Sequence, residues 1–409
     1  MNVRAEEVAR LRALFPALAE GDLAPLDNAA TTHRPQAVLD AASRFYKESN
    51  ANVHRANHRL GMAATGAYEA ARQRVARFLD SEAEEVVFTR NATDAINLVA
   101  RGWLEPRLNA EDVVVVTALE HHSNLVPWQQ VCRRTGARLC VLPVDESGRL
   151  QEPFEFPERA CFLATTRVSN ALGTIVDTAA LVEQAQSRGM AVLVDVTQSA
   201  GHLPLDAGSR AADFLALSAH KMYGPMGVGV LRGRAQRLAE MDPVSYGGEM
   251  VDGVSQQSAN WRAPPWRFEA GTPAVAPVVA FPPALDLLDS VGLASVRAHE
   301  LDLLGLLLEG LKGIEGLLLV GPPEAEDRSG AVSLAIPGGD PHVAATLLDL
   351  SGVAVRAGWH CAEPLLRRMG QGPTLRASVA LYSSGHDVER LLEALPEAVA
   401  ACRDPAPNL

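Results

Sequence analysis

Ser218-Ala219-His220-Lys221-Met222-Tyr223-Gly224-Pro225 follows directly on Asp213-Phe214-Leu215-Ala216-Leu217 and opens a glycine-rich stretch that runs to Gly229. The apolar run reads as a buried strand, and the Gly-Pro pair as the turn that leaves it. A lysine between a histidine and such a turn, at a strand end, can lose its water while an anion is held beside it. Desolvation favours the neutral amine, which is the form that condenses with a carbonyl. The competing reading is a solvated lysine in a surface turn.

Upstream, Val192-Leu193-Val194-Asp195-Val196-Thr197-Gln198 sets an acid at the end of another apolar strand. Ligands of open α/β sheets bind at such carboxyl ends, and a carboxylate there can hold a cationic heterocyclic nitrogen. It could equally cap the next turn. Further apolar runs at Val86–Thr89, Val113–Thr117, Arg138–Leu142 and Cys161–Thr165 alternate with helical patterns at 92–100, 124–134 and 178–188. Continuous rather than alternating apolar strands, separated by helices, predict a mostly parallel sheet covered on both faces. The pattern changes after residue 240. Pro243 to Pro283 is rich in Gly, Pro and Trp and reads as irregular, Ala284 to Gly316 as helical with leucine-rich faces. From Ala331 strands and helices alternate again, which predicts a smaller α/β domain. The expected division is a segment 1–24 packing with the small domain, a large domain 25–290, and a C-terminal domain 291–409.

The chain of 409 residues carries 37 Lys+Arg against 49 Asp+Glu, a net charge of −12, with 47% hydrophobic and 21% charged residues. That composition supports a sizeable core and excludes disorder as the main state. The acidic balance argues against a nucleic-acid partner. The five cysteines (132, 140, 161, 361 and 402) form neither a disulfide framework nor a C-x-x-C pair. The amphipathic N-terminus lacks a secretory core, and no apolar run reaches membrane length, so a cytoplasmic location and no membrane partner are expected.

Four more stretches carry chemistry. Arg90-Asn91-Ala92-Thr93-Asp94 lies between strand and helix, where backbone N–H groups suit a phosphate, although Thr and Asp are also ordinary caps. Glu120-His121-His122-Ser123-Asn124 follows a strand, and one of its histidines could stack on a flat ligand or move protons. A zinc site there lacks a third ligand. Arg356-Ala357-Gly358-Trp359-His360-Cys361-Ala362 joins a strand exit to a helix start. A cysteine so placed, near His and Arg, is expected to have a lowered pKa and to act as a nucleophile rather than as an inert buried thiol. Arg376, inside the strand-like Thr374–Ser378, is costly unless an anion such as a substrate carboxylate meets its fork, or unless it reaches solvent from an edge.

Together these stretches resemble the class V group of pyridoxal-phosphate (PLP) fold-type I enzymes, most closely the SUF-type cysteine desulfurases and selenocysteine lyases. The resemblance runs from Leu26-Asp27-Asn28-Ala29-Ala30 past Tyr382. It includes Asn52-Val53-His54-Arg55, Val168-Ser169-Asn170, Tyr246-Gly247-Gly248-Glu249-Met250 and Trp266 to Pro273. It implies a large domain with a mostly parallel seven-stranded sheet, and PLP on Lys221. Asp195 would pair with the pyridine nitrogen, Gln198 and Asn170 lie by the phenolic oxygen, and His121 stack on the ring. Thr93, Ser218 and His220 would be phosphate ligands, with Thr272 reaching in from the second subunit of a homodimer. Arg376 would clamp the substrate carboxylate, and Cys361 carry a persulfide.

The implied reaction takes L-cysteine to L-alanine and passes sulfur to an acceptor protein of SUF type, for iron–sulfur cluster or other thio-cofactor assembly. L-Selenocysteine is a second substrate to consider. The rival readings are a selenocysteine lyase, another class V enzyme such as an aminotransferase, and a non-catalytic sulfur-trafficking scaffold. Five positions depart from the family pattern. Val196-Thr197 stands where Gly-Ala is usual, Arg167 where His is frequent, and Ala357 and Trp359 where Thr and His are frequent.

Overall fold

The structure, a computed structural model, describes residues 5–19 and 23–403. The expected segment 1–24 therefore lies partly outside the described residues. Seven strands form the main sheet: β1 (Val86–Thr89), β2 (Val113–Thr117), β3 (Arg138–Leu142), β4 (Ala160–Thr166), β5 (Ala191–Asp195), β6 (Phe214–Ser218) and β7 (Gly229–Gly233). Their order is β1-β7-β6-β5-β4-β2-β3. Only β7 runs against its neighbours, and the other adjacent pairs are parallel.

The inner strands are buried on both faces because they are apolar along most of their length, whereas the edge strand Arg138–Leu142 is partly exposed. Side chains alternate across a strand. Val113, Val115, Val192, Val194, Leu215 and Leu217 thus enter one core, while Val114, Val116, Ala191, Leu193, Phe214 and Ala216 enter the other. Helices Arg59–Phe78 and Thr178–Ser187 lie over the first core, and Ala92–Val99 and Val126–Thr135 over the second. With six strands pointing one way, their carboxyl ends gather along one edge, and the connections there face one another.

The helical stretch after residue 274 is broken. Val275–Val291 and Leu293–Leu311 meet at 75° around Gly292, whose φ of 80° a side chain would resist. Beyond the bend, β8 (Leu318–Val320), β9 (Ala331–Ala335), β10 (Arg356–Gly358) and β11 (Thr374–Ser378) form a second, antiparallel sheet in the order β8-β9-β11-β10. Leu304, Leu307 and Leu311 from one helix, and Val388, Leu391 and Leu395 from Gly385–Arg403, pack on it with Val332, Leu334 and Leu375. The N-terminal stretch is tied to this part of the chain. Ala24–Pro25 pairs in parallel with Val353–Ala354, Arg12 bridges Asp387 at 2.8 Å, and Phe15 packs on Tyr382.

The stretch 243–283, read as irregular, contains a hairpin of Val251–Val254 and Ala259–Trp261. The strands are short and mostly exposed, so neither apolar alternation nor continuous burial marks them in the sequence. Among the described residues no single helix is long and apolar enough to cross a membrane.

Candidate active site

A cavity of about 290 Å³ opens at the carboxyl ends of the main sheet. Each flanking strand delivers residues to it: Asn91 to Thr93 after β1, His121 and Ser123 after β2, Thr166 to Asn170 after β4, Asp195 to Gln198 at β5, and Ser218 to Lys221 at β6. The second sheet closes the opposite side with Arg356, His360, Cys361 and Arg376. Thr93, His121, Asn170, Asp195, Gln198, Ser218, His220, Lys221, Cys361 and Arg376 therefore share one space. Thr272 is exposed and does not line the cavity of its own chain.

Lys221 Nζ donates to the carbonyl of Ala29, which also accepts from Gln198 Nε2 at 2.9 Å. Burial first, and the nearby Arg376 guanidinium second, bring the Lys221 pKa down to about 8. Asp195 is buried, which raises its carboxyl, and its Oδ1 accepts from Thr197 N at 2.9 Å. A neutral-prone amine and a buried acid thus lie at neighbouring strand ends, an arrangement suited to condensing with a carbonyl beside a heterocyclic cation.

His121 is neutral. Burial, with Lys221 next in weight, holds its pKa near 4, and its Nδ1 accepts from Ser123 N at 3.0 Å, which assigns the proton to Nε2. The preceding residue, Glu120, is buried and accepts from Thr166 N at 2.9 Å and Asn124 Nδ2 at 2.5 Å. Burial pushes its carboxyl up to about 8. The sequence assigns Glu120 no role, since a charged residue in a loop gives no local sign that it is buried.

Hydroxyl and N–H groups collect at the start of helix Ala92–Val99. Thr93 Oγ1 lies 2.6 Å from Ser123 Oγ, and Ser218 Oγ accepts from Ala92 N at 2.8 Å, leaving its own proton free to donate. His220, held near pKa 4 by burial, lies 3.2 Å from Thr31 Oγ1.

Arg376 is fully buried rather than solvated at an edge, since β11 lies inside its sheet. Nη1 donates to Asn170 O at 2.9 Å and Nη2 to Asp27 Oδ1 at 3.1 Å, while Nε has no partner. Asp27 also bridges Arg356 at 3.1 Å. The role of Asp27 was not legible in sequence, because its two arginines lie some 330 and 350 residues away.

Cys361 is the exposed member of the five cysteines. The pKa values of Cys132 and Cys161 are raised to about 11 by burial. The expectation that His360 supplies positive charge to Cys361 does not hold. His360 is buried, its pKa is depressed to about 3, and its Nε2 lies 2.9 Å from Thr374 Oγ1. The cations that line the cavity with Cys361 are Lys221, Arg356 and Arg376.

The cysteine loop is held at several points. His360 and Cys361 take φ of 51° and 54°, a left-handed conformation costing of order 1 kcal/mol each. Cys361 O accepts from His122 N at 2.8 Å, and His360 O from Asn170 Nδ2 at 2.6 Å. The Arg367 guanidinium stacks 4.7 Å over Trp359.

Residues 25–391 match the family model for class V aminotransferases. Over 94% of the chain and 96% of its counterpart, the sequence is 42% identical to a probable cysteine desulfurase of Halalkalibacterium halodurans. A cysteine desulfurase of Klebsiella pneumoniae is 41% identical over 95% of this chain and 97% of its own. Among solved structures, the cysteine desulfurase CsdA from Escherichia coli, in an S-sulfonic acid form, superposes with a TM-score of 0.88 at 37% identity, covering 97% of this chain and 99% of that one. An apo cysteine desulfurase from Thermococcus onnurineus NA1 gives 0.91 at 35% identity, over 98% and 99%. Sheet order, the lysine and acid at adjacent strand ends, the facing cysteine and this full-length likeness agree: the chain belongs to the class V aminotransferase family, in its cysteine desulfurase branch.

Proposed function

We propose that the protein is a PLP-dependent cysteine desulfurase that converts L-cysteine to L-alanine and leaves the sulfur on Cys361 as a persulfide. The observation that carries this is the placement of Cys361 in one cavity with Lys221, Asp195 and Arg376. The residues present fit a phosphorylated pyridine aldehyde. Asp195 suits the ring nitrogen, Lys221 the aldehyde carbon, and Thr93, Ser218 and His220 the phosphate. Asn170 Oδ1 is buried without a partner, and Gln198 lies beside Lys221's acceptor. Bound there, the cofactor supplies an electron sink for charge that develops at the substrate α-carbon.

The chain's own groups do the rest. Arg376 takes the substrate carboxylate with its unpartnered Nε edge, held in orientation by Asn170 O and Asp27. Lys221 Nζ, half neutral near pH 8, accepts the α-proton and returns one to the product. His121, neutral and carrying its proton on Nε2, covers the ring without adding charge. Cys361 Sγ attacks the substrate sulfur. An S–S bond forms, the substrate C–S bond breaks, and its electron pair ends as a C–H bond of alanine, so that cysteine plus thiol gives alanine plus persulfide.

The tethering of the loop by His122, Asn170 and the Trp359–Arg367 stack supports delivery to a separate acceptor protein that reaches Cys361, rather than a long swing of the cysteine. Thr272 completes the phosphate site of a second subunit, and Tyr246 and Trp261, exposed and packed against each other, suit an interface core. The test is incubation of the purified protein with cysteine and a reductant. Alanine and sulfide in equal amounts are expected. Transamination requiring an α-keto acid, with Cys361 dispensable, would sink the reading.

A further inference from the structure

The turn that follows β4 meets the second sheet through its backbone. Four successive carbonyls of that turn each accept a hydrogen bond from the other side. Asn170 O accepts from Arg376 Nη1 at 2.9 Å, Ala171 O from Ser333 Oγ at 2.6 Å, Leu172 O from Arg328 Nη1 at 2.6 Å, and Gly173 O from Ser329 N at 2.9 Å. Ser333 stands directly opposite Arg376 in the β9–β11 ladder, so the two side chains leave the same face of the sheet and take adjacent carbonyls. Arg328 is completely buried, and its other bonds also go to carbonyls, those of Pro322 and Val320. The approach is close. At Gly173, with φ of 76°, a Cβ would lie 2.3 Å from Ala331 O. Neither Ser333 nor Arg328 lines the cavity, yet both fix the turn whose first carbonyl orients the Arg376 guanidinium. A buried carbonyl that loses its donor must find another or stay unpaired, at a cost similar to the bond itself. The turn then moves, and the acceptor of Arg376 moves with it.

We infer that Ser333 and Arg328 are positioning residues for the substrate carboxylate, holding the 170–173 turn against the second sheet so that Arg376 presents its Nε edge in one orientation. This rests on the reading of Arg376 as the residue that meets that carboxylate. A contact that only packs the two sheets together and one that positions Arg376 both stabilise the fold. They differ in selectivity. Loss of the positioning contact harms recognition of a carboxylate and spares chemistry on a substrate that has none.

The experiment uses the full-length, PLP-loaded enzyme with Ser333→Ala, Ser333→Thr and Arg328→Lys. Turnover is measured with cysteine and with cysteamine, which lacks the carboxylate. Binding of L-alanine, which keeps it, is followed by titration of the visible absorption band, and stability by thermal unfolding. Ser333→Ala is expected to raise KM for cysteine and the Kd for L-alanine about fivefold, the effect of one hydrogen bond. Its kcat for cysteine and its kcat/KM for cysteamine should stay within about twofold of wild type. Ser333→Thr keeps the hydroxyl and should restore L-alanine binding to within about twofold. Arg328→Lys cannot span the same carbonyls, so it should show the same selective loss with a larger fall in melting temperature. If the lysine variant does not fold, the two serine variants decide. Equal losses for cysteine and cysteamine in Ser333→Ala, or a lower melting temperature with unchanged L-alanine binding, would overturn the inference. So would Ser333→Thr binding L-alanine as weakly as Ser333→Ala. A wild-type enzyme with no preference for cysteine over cysteamine would instead overturn the reading of Arg376, and this inference with it.

Discussion

Replacing Arg376 with alanine tests the substrate site most directly, because the structure specifies what the guanidinium does before any substrate arrives. It is fully buried, bonded to Asn170 O at 2.9 Å and Asp27 Oδ1 at 3.1 Å, with Nε free. A carboxylate met by this fork gains charge-assisted bonds in a site shielded from water. Their loss should cost about 2–4 kcal/mol, or roughly 30- to 1,000-fold in kcat/KM for cysteine. Lysine should not rescue the variant, since an ammonium has no planar edge. A second effect follows from charge. Arg376 is one of the groups that depress Lys221, so Arg376→Ala should move the pH dependence of turnover upward. The assay is alanine formation from cysteine, compared with sulfide release from cysteamine, which lacks the carboxylate. Wild type should prefer cysteine strongly, and the variant should lose that preference while its thermal unfolding remains cooperative. Near-normal kcat/KM for cysteine in Arg376→Ala, or full rescue by lysine, would refute the assignment.

Three further outcomes are expected. With a Lys221 pKa near 8, about one molecule in ten carries the neutral amine at pH 7, so the rate of PLP uptake by cofactor-free enzyme should rise about tenfold per pH unit below 8 and level off above it. A rise that continues to pH 10 would mean an ordinary lysine, and borohydride reduction should place the label on Lys221 and on no other. Cys361→Ser should keep the cofactor spectrum but lose sulfur transfer, and one turnover of wild type should leave a single extra sulfur on the Cys361 peptide. That sulfur on Cys132 or Cys161 would contradict the assignment. Thr272→Ala should weaken PLP binding in a dimer seen by sedimentation, whereas a fully active monomer would remove Thr272 from the site.

The sequence alone marked six of the seven main-sheet strands and their mostly parallel, helix-covered character, because strands covered on both faces are apolar along most of their length; the antiparallel β7, opening in a glycine-rich stretch, carried no such signal. Val113–Val116 and Leu193–Val194 announce themselves without any long-range information. It also marked Lys221, Asp195 and Cys361, since each is a reactive residue directly beside a strand end or a turn, a local signal. What only the tertiary structure decided was how distant segments meet. Asp27 joins Arg356 and Arg376, the Ala29 carbonyl joins Lys221 and Gln198, and buried Glu120 accepts from Thr166 N; none of these contacts has a signature within its own window of sequence. The charge of the cysteine loop was likewise misread from the adjacent His360. Adjacency in sequence suggested a cation beside a thiol, but the fold buries that imidazole against Thr374, where desolvation keeps it neutral. Local pattern records which faces must be hidden from water, whereas the protonation and orientation of a buried side chain depend on partners that folding brings from elsewhere in the chain.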